Sequence, residues 1–330
     1  MYKKEYKSEY TPYESQIFRS YFEGRKIGFF DIETTGLSPF RCKLILSGFS
    51  IPDEDGITSV QFLADDPSEE PLVIKETLKI MDQLDMVVTY NGKTFDMPFL
   101  EQRCKADKIH ISKPLPFNLD LYQAVKYASP LKSMLPNLKQ KTVESYLGLW
   151  ATRTDEISGA ESVELYYHYA GTKDEKIRDV ILLHNADDIR QLSKLLPVLE
   201  KCDLHKALSK AGILCSNLFI TDMRLGKTSL KIHGIQRTQP INASFYDDFG
   251  SGLKAIFRES EKTFEIRIPV IFREGYYICD VSKLPLKRRP ANETNGYLIL
   301  QESDDICYED INRLVKEITE NIYEYFNEPD

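Results

Sequence analysis

The sequence predicts an α/β protein in which a mixed β-sheet flanked by helices is followed by a smaller β-rich C-terminal domain. Over the first two-thirds of the chain, short apolar runs of β-prone residues alternate with segments of helical periodicity. Beyond about Cys215, short β-like runs separated by turn signals replace the helices. The length of 330 residues exceeds the ~100 to 200 residues usual for one domain. We therefore expect two domains, over residues 1–205 and 206–330.

The first domain opens with strands that follow a polar, tyrosine-rich lead-in. Residues 26–33 and 44–51 are short, apolar and bounded by turn residues, which is typical of buried strands, and residues 59–64 continue this pattern. A helical pattern over 69–84 leads to another apolar run at 86–90. Strands followed by a helix and a further strand indicate a mixed sheet.

Helical patterns dominate from Thr94 to about Lys201. They cover residues 95–106, 138–147, 161–169 and 173–201. In the second domain, strands are predicted at 230–235, 263–271 and 276–281, and an acidic amphipathic helix at 308–326.

The composition restricts the class of protein. With 43 Lys+Arg against 51 Asp+Glu, the net charge of −8 excludes a histone-like protein that binds nucleic acid by bulk attraction. The six cysteines are scattered singly and predict free thiols in a reducing compartment. Long apolar runs and a signal-peptide pattern are missing from the sequence, so we expect a cytoplasmic protein without a membrane partner.

The segment Asp31-Ile-Glu33-Thr-Thr-Gly36 is the first motif with chemical meaning. Side chains two residues apart on a strand share a face, so Asp31 and Glu33 point together while Phe30 and Ile32 point the other way. Two adjacent carboxylates repel each other unless a divalent metal ion or a shared proton lies between them. The alternative is a strand end where both acids are solvated.

The second motif is Asn91-Gly-Lys-Thr-Phe-Asp96-Met-Pro98-Phe. Asn91 and Gly92 end a buried strand with a turn, and Pro98 falls in the first turn of the next helix. Asp96 therefore lies at a strand-to-helix transition. Capping of the helix amides is its alternative role.

The third motif lies inside the long helix. His184 and Asp188 are four residues apart and share a face, whereas Asp187 is rotated by about 100°. A core histidine and a surface acid remain the alternative for this pair. Most of that face is apolar, however, which makes an unpaired acid there costly.

Together the motifs supply four carboxylates, on Asp31, Glu33, Asp96 and Asp188, and one imidazole. Hard oxygen ligands in this number suit Mg²⁺ or Mn²⁺. Two such ions would stabilise an in-line displacement at phosphorus, and they would reconcile an acidic protein with a polyanionic substrate. The sequence therefore predicts a centre for two Mg²⁺ or Mn²⁺ ions.

The ordered set D-I-E-T-T-G, N-G-x-x-F-D-x-P-F and H-x-x-x-D resembles the DEDD (DnaQ-type) 3′–5′ exonucleases of the ribonuclease-H-like superfamily, most closely their YprB-like branch. The stretches at residues 137–144 and 156–161 are also similar to that branch, and the resemblance covers roughly residues 25–200. It implies a ribonuclease-H-like sheet and a centre in which the four acids are metal ligands. In this family His184 would be the general base that deprotonates or orients the attacking water.

The same resemblance implies a groove for the terminal nucleotides. Its walls would be formed by Thr34, Thr35, Gly36, Leu37, Asn91 and Phe95. Phe95 would stack on a base or pack in the core, and Asp120 would orient neighbouring groups or cap a helix.

One spacing departs from the family, in which histidine usually stands five residues before the last aspartate, or tyrosine four before it. Here histidine stands four before Asp188, and only three before Asp187.

The resemblance implies a 3′–5′ exonuclease that acts on DNA or RNA with a single-stranded 3′ end. A structure-specific endonuclease with the same carboxylates and a non-catalytic nucleic-acid-binding scaffold are the alternatives.

In the second domain, basic residues near Phe245, Phe257 and Tyr276 would follow a phosphate backbone or form an ordinary solvated surface. These basic residues are Lys227, Lys231, Arg237, Lys254, Arg258, Lys262, Arg267, Arg273, Lys283, Lys287, Arg288 and Arg289.

Overall fold

The computed structural model describes residues 1–149, 154, 157–247 and 250–327. The chain divides into two compact units, Met1–Cys202 and Asp203–Asp330. Residue 156, at the start of one of the family-like stretches, lies outside the described residues. Among the described helices, none combines the length and the apolar character that crossing a membrane requires. All six cysteines are described and are free thiols.

Six of the described strands form the sheet of the first unit. They are β1 (Tyr2–Ser8), β2 (Ile27–Thr34), β3 (Leu44–Asp53), β4 (Gly56–Leu63), β5 (Met86–Thr89) and β6 (Phe117–Asp120). Their order is β1-β4-β3-β2-β5-β6. The pairs β2–β5 and β5–β6 are parallel and the others antiparallel, so the predicted mixed sheet is confirmed. The ends of β2, β5 and β6 therefore meet at one edge of the sheet.

Helices cover both faces of this sheet. The described helices of the unit are α1 (Gln16–Phe22), α2 (Glu70–Met81), α3 (Asp96–Ala106), α4 (Leu121–Ala128), α5 (Leu131–Met134), α6 (Gln140–Tyr146), α7 (Gly159–Thr172) and α8 (Glu175–Lys194). Phe30 and Ile32 of β2 belong to a buried cluster with residues of α2 and α3. On the other face, residues of α7 and α8 pack against Leu46 of β3. This is the predicted arrangement of a sheet flanked by helices.

Several segments differ from the prediction, and two of them have a clear physical reason. The polar lead-in contains β1, an edge strand in which half-buried and exposed residues alternate. The helix expected over 173–201 ends at Lys194, and a 3-10 helix follows over Leu196–Lys201. Pro197 explains the change, because proline lacks the amide hydrogen that an α-helix requires.

The second unit is rich in antiparallel strands. It contains α9 (Leu204–Ala211), β7 (Ile213–Cys215), β8 (Leu218–Leu225), β9 (Ser229–Gln236), β10 (Ala243–Tyr246), β11 (Lys254–Arg258), β12 (Thr263–Pro269), β13 (Ile271–Arg273), β14 (Tyr276–Asp280), β15 (Tyr297–Glu302), β16 (Asp305–Ile306) and α10 (Tyr308–Asn327). One described sheet has the order β10-β11-β12-β9-β8-β7, and a second has the order β13-β14-β15-β16. The β-rich C-terminal region is confirmed.

The larger of these sheets buries one face. Phe257 of β11 is fully buried, and its ring lies 6.3 Å from that of Tyr323 and 6.4 Å from that of Phe326, both on α10. The expectation that Phe257 accompanies a phosphate backbone is therefore wrong, because strand alternation directs its ring into the core. The opposite face of β8, β9, β11 and β12 carries the half-buried and exposed residues of these strands.

Candidate metal centre

Strand β2 directs two acids toward α8. Asp31 and Glu33 alternate with the buried Phe30 and Ile32, as the strand period requires. Glu33 is 8% exposed and Asp31 is half-buried. Both residues pair with β3, and the register shifts directly after Glu33. β2 thus presents two carboxylates side by side on the α8 face.

Asp96 reaches the same strand from the start of α3. The chain turns after β5 at Asn91, whose φ of 68° lies in the left-handed region that asparagine tolerates. The Asp96 carboxylate is 4% exposed and its Oδ1 accepts a hydrogen bond from the amide of Ile32 at 3.2 Å. Asp96 is the first residue of α3, one position after the N-cap residue Phe95, and its carboxylate also accepts a hydrogen bond from its own amide.

Helix α8 supplies an imidazole and a third aspartate. His184 Nε2 lies 3.6 Å from Glu33 Oε1 and 3.8 Å from Asp188 Oδ2. One ligand atom from each of these three residues lies within 4.8 Å of the other two. Asp187 points elsewhere, because its Oδ2 accepts hydrogen bonds from Thr154 and its Oδ1 pairs with Arg190 at 3.1 Å. Asp188, and not Asp187, therefore lies in the cluster.

The charges of the cluster act on one another. Burial raises the pKa of Asp31 well above its ordinary value, and the charges of Asp96, Asp188 and Glu33 raise it further. Burial also raises the pKa of Asp96 to about 7. Neighbouring carboxylates raise one another's pKa in this way when positive charge is lacking between them. Glu33, His184 and Asp188 form the compact group, and Asp31 and Asp96 are near enough for their charges to interact with it. Carboxylates and an imidazole are a donor set that fits Mg²⁺ or Mn²⁺.

A buried amide orients Asp31, and the sequence analysis missed it. Asn185 Nδ2 donates to Asp31 Oδ2 at 2.9 Å, and Asn185 Oδ1 accepts from Gln61 Nε2 at 2.9 Å. Asp31, Gly48 and Gln61 lie directly opposite one another on β2, β3 and β4. Asn185 of α8 lies above Gly48 between the other two. The signal in the sequence was a glutamine within the apolar strand β4, since a buried amide needs partners.

The segment after β2 forms a loop of defined structure. Thr34 Oγ1 donates to the carbonyl of Gly36 at 2.8 Å, and Thr35 Oγ1 accepts from the amide of Lys43 at 2.8 Å. Leu37 is 85% exposed, and Phe40 in the same loop is 75% exposed. Two large apolar side chains are thus exposed in the loop that follows the Asp31–Glu33 pair.

A second loop joins β5 to α3 and is held by Asp120. Asp120 Oδ1 accepts from the amide of Asn91 at 2.9 Å, and Oδ2 from the amide of Lys93 at 3.0 Å. Asp120 Oδ1 also accepts from the amide of Gln123 at 3.3 Å and so caps α4. The expected helix cap is present, and the same carboxylate holds the Asn91–Lys93 turn. The half-buried Phe95 packs on Phe99, with 5.6 Å between ring centroids.

Comparison with known proteins relates the first unit of the chain to one family. A family model described as RNase H superfamily matches residues 28–200. The chain is 30% identical over 170 residues to "Uncharacterized protein YprB" of Bacillus subtilis (strain 168), and the match covers 51% of this chain and 40% of YprB. A family B DNA polymerase from the hyperthermophilic archaeon Pyrobaculum calidifontis is similar at a TM-score of 0.43 and 22% identity, over 56% of this chain and 26% of the polymerase. The chain thus spans less than half the length of either protein.

Proposed function

The chain belongs to the RNase H superfamily, as its motifs predict, and on this premise we propose that it is a metal-dependent nuclease that hydrolyses phosphodiester bonds. The observation that carries the proposal is the convergence of Glu33, His184 and Asp188 within 4.8 Å, next to the carboxylates of Asp31 and Asp96. The specific activity that we propose is 3′–5′ exonuclease cleavage of DNA or RNA. Residues 1–205 would carry the reaction, with residues 206–330 as an accessory domain.

In this proposal Asp31, Glu33, Asp96 and Asp188 would hold two Mg²⁺ or Mn²⁺ ions. Bound ions of this kind stabilise the charge that develops at phosphorus and lower the pKa of coordinated water. His184 accepts the proton of the attacking water, for which an imidazole next to the ligand acids is suited. Asn185 keeps the Asp31 carboxylate in one orientation through its hydrogen bond of 2.9 Å.

The two ordered loops would receive the single-stranded 3′ end. Thr34, Thr35, Gly36 and Leu37 form one wall of this groove, and Asn91 and Phe95 form the other. The exposed Leu37 side chain offers an apolar surface for the terminal bases.

Free thiols are stable in a reducing compartment, and we place the activity in the cytoplasm.

The test is cleavage of 5′-labelled single- and double-stranded DNA and RNA in the presence of Mn²⁺, with half of each substrate blocked at the 3′ terminus. We expect a ladder of shortened products that disappears when the 3′ end is blocked or when a chelator is added. Asp31→Asn and Asp188→Asn should each abolish cleavage while the circular dichroism spectrum is retained. Glu101→Gln, which removes an exposed acid from α3, is the matched control and should cleave normally.

A different experimental outcome would contradict each part of the proposal. Discrete products that survive blocking of the 3′ end would indicate a structure-specific endonuclease. Unchanged cleavage by both aspartate variants would exclude this centre as the site of the reaction. Binding of nucleic acid without any metal-dependent cleavage would indicate a non-catalytic scaffold.

A further inference from the structure

Four basic side chains form a line across the exposed face of the larger sheet in the second unit. Lys254 pairs with Arg267 across β11 and β12, Arg267 with Lys231 across β12 and β9, and Lys231 with Arg224 across β9 and β8. All four residues are exposed. We call these four residues the basic row.

This arrangement is unfavourable for the folded protein by itself. Like charges directly opposite each other on neighbouring strands destabilise a sheet. Two members are partly neutralised, because Arg224 pairs with Asp222 at 2.7 Å and Arg267 with Glu265 at 2.5 Å. Within the part of the chain that the structure describes, Lys231 and Lys254 form no ion pair of this kind. The two lysines of the row, whose charges the fold leaves uncompensated, point to an external anion.

The dimensions of the row fit one strand of a nucleic acid. Neighbouring strands of a sheet are about 4.8 Å apart, so four residues in line extend over about 14 Å. One strand of nucleic acid presents more than one phosphate over this length. Tyr246 of β10 lies opposite Lys254 and is 53% exposed, which places an aromatic ring at one end of the row.

The face that carries the row has more cations than acids. On this face of β8, β9, β11 and β12, the cations are those of the basic row and Arg258, and the acids are Asp222 and Glu265. The chain as a whole carries a net charge of −8. The cationic excess is therefore local to this face. Phosphate contacts from lysine and arginine, with stacking on exposed aromatic rings, are the usual means of binding single strands.

We propose that the basic row is a binding surface for the phosphate backbone of a nucleic-acid strand. The choice of nucleic acid rather than another polyanion rests on the proposed nuclease function. The row itself is defined by strand register alone.

The experiment measures binding of fluorescein-labelled single-stranded DNA and RNA to the full chain by fluorescence anisotropy. A chelator is present so that the substrate stays intact, and salt is varied between about 50 and 200 mM. The test variant is Lys231→Ala with Lys254→Ala. The matched control is Lys206→Ala with Lys210→Ala, which removes two exposed lysines from α9. Thermal unfolding of each variant verifies the fold.

The row variant should bind about tenfold more weakly at the lower salt concentrations. The slope of log K against log salt is negative, and each lost phosphate contact reduces its magnitude by about 0.7 for single strands. For two lost contacts we expect the magnitude to fall by about 1.4. The control should retain the affinity and slope of the wild type. Equal affinity and slope for the row variant would refute the proposal, as would displacement of the oligonucleotide by polyglutamate of equal charge concentration.

A separate measurement distinguishes this proposal from the proposed function. Hydrolysis of a nucleotide p-nitrophenyl ester with Mn²⁺ needs the metal centre but not a long backbone. The row variant should hydrolyse this ester at the wild-type rate. If the wild type binds through the row but hydrolyses neither ester nor oligonucleotide, the proposed function fails and the binding surface remains. If the wild type hydrolyses normally and the row variant binds normally, only the binding surface fails.

Discussion

At the scale of single residues, Gly48 provides the space in which Asn185 orients Asp31. A Cβ atom at residue 48 would lie 2.0 Å from Asn185 Oδ1, a distance that real contacts do not reach. Gln61 Nε2 donates both to Asn185 Oδ1 and to the carbonyl of Leu182 at 2.8 Å. If the Gln61 amide were rotated by about 180°, its oxygen would face two other acceptors, the Leu182 carbonyl and Asn185 Oδ1, and no hydrogen bond could form. The orientation of Asn185, and through it that of Asp31, is therefore determined by hydrogen bonding.

We predict that Asn185→Leu weakens Mn²⁺ binding by about 10- to 100-fold, because residues that orient ligands have effects of this size. Gly48→Ala should act in the same direction by displacing Asn185. Isothermal titration with Mn²⁺ measures both effects. Ser50→Ala, on the same face of β3, removes a buried hydrogen bond to Ser59 without touching the cluster and serves as the control. Wild-type affinity in Asn185→Leu would mean that Asp31 needs no such support.

The sequence predicts the acids of the centre better than the amides that orient them. Acids at a strand end and on an apolar helix face stand out, because an ionised group is costly there unless it is paired. Asn185 and Gln61 are 124 residues apart, and only the pairing register of three strands and the packing of α8 bring them together. Helical periodicity assigns residues to faces but does not identify their partners.

At the scale of elements, one buried carboxylate joins two helices, a strand and a loop. Glu70, the first residue of α2, accepts hydrogen bonds from Arg103 of α3 at 2.7 Å and from the amide of Leu44 on β3 at 2.8 Å. Arg103 also donates to the carbonyl of Pro39, in the loop that carries Leu37. Burial favours the neutral acid, but the hydrogen bonds from Arg103, Lys43 and Leu44 lower the pKa of Glu70 below its ordinary value.

We predict that Glu70→Gln lowers the free energy of unfolding at neutral pH by about 3 kcal/mol, because the buried Arg103 then loses its nearest anion and keeps, among the described acids, only Asp107, at 3.6 Å. A lowered pKa means that the ionised acid stabilises the fold above its ordinary pKa of 4.5 and that this contribution is lost as the pH falls through the folded value. Urea unfolding at several pH values should therefore show the difference between wild type and variant shrinking below about pH 4.5. A difference that stays constant down to pH 3 would contradict this account.

The basic row leads to a stability prediction of the opposite sign. Lys231 lies between Arg267 and Arg224, so Lys231→Glu turns two repulsive cross-strand pairs into attractive ones. The free energy of unfolding of the second unit should rise by about 1 kcal/mol. Calorimetry measures this rise, and Lys210→Glu on α9 makes the same charge change outside the row. If Lys231→Glu destabilises the unit and Lys210→Glu does not, the positive charges of the basic row do not repel one another as the strand register implies.

The elements differ in how visible they are in the sequence. Strands β2, β3 and β5 are predicted because both of their faces are apolar over most of their length. β1 is missed because its half-buried side is formed by Tyr2, Lys4, Tyr6 and Ser8, which do not make an apolar run. α4 is missed because it is short and begins directly after β6, where Asp120 caps it. In the structure, such an edge strand is recognised because half-buried and exposed side chains alternate along it, not because it is hydrophobic.

At the scale of the whole molecule, each of the two units has its own buried residues, and the proposed metal ligands lie in the first. The fold class follows from the change of periodicity along the chain. The strand order β1-β4-β3-β2-β5-β6 does not, because pairing between strands far apart in sequence leaves no periodic trace. The family resemblance predicts a ribonuclease-H-like sheet, which local patterns alone do not specify.

We predict that Mn²⁺ stabilises the first unit and leaves the second unchanged. A ligand at 100 times its Kd adds about 2.7 kcal/mol to the stability of the state that binds it. Hydrogen–deuterium exchange read by mass spectrometry should show slower exchange in β2, α3 and α8 when Mn²⁺ is added. Peptides from β9 and β12 should exchange at the same rate with and without it. Asp31→Asn should remove the effect, and protection that persists in this variant would place the ion elsewhere.

β1 also has a consequence for solubility. Its seven residues pair with β4 from Leu63 to Ile57, and its exposed positions carry Lys3, Glu5 and Lys7. Charged residues on an edge strand discourage other chains from adding to the sheet. A shortened protein that starts at Glu9 would leave the amide and carbonyl groups of β4 open to a neighbouring copy. We expect light scattering to detect self-association of this shortened protein at concentrations where the full chain stays monodisperse.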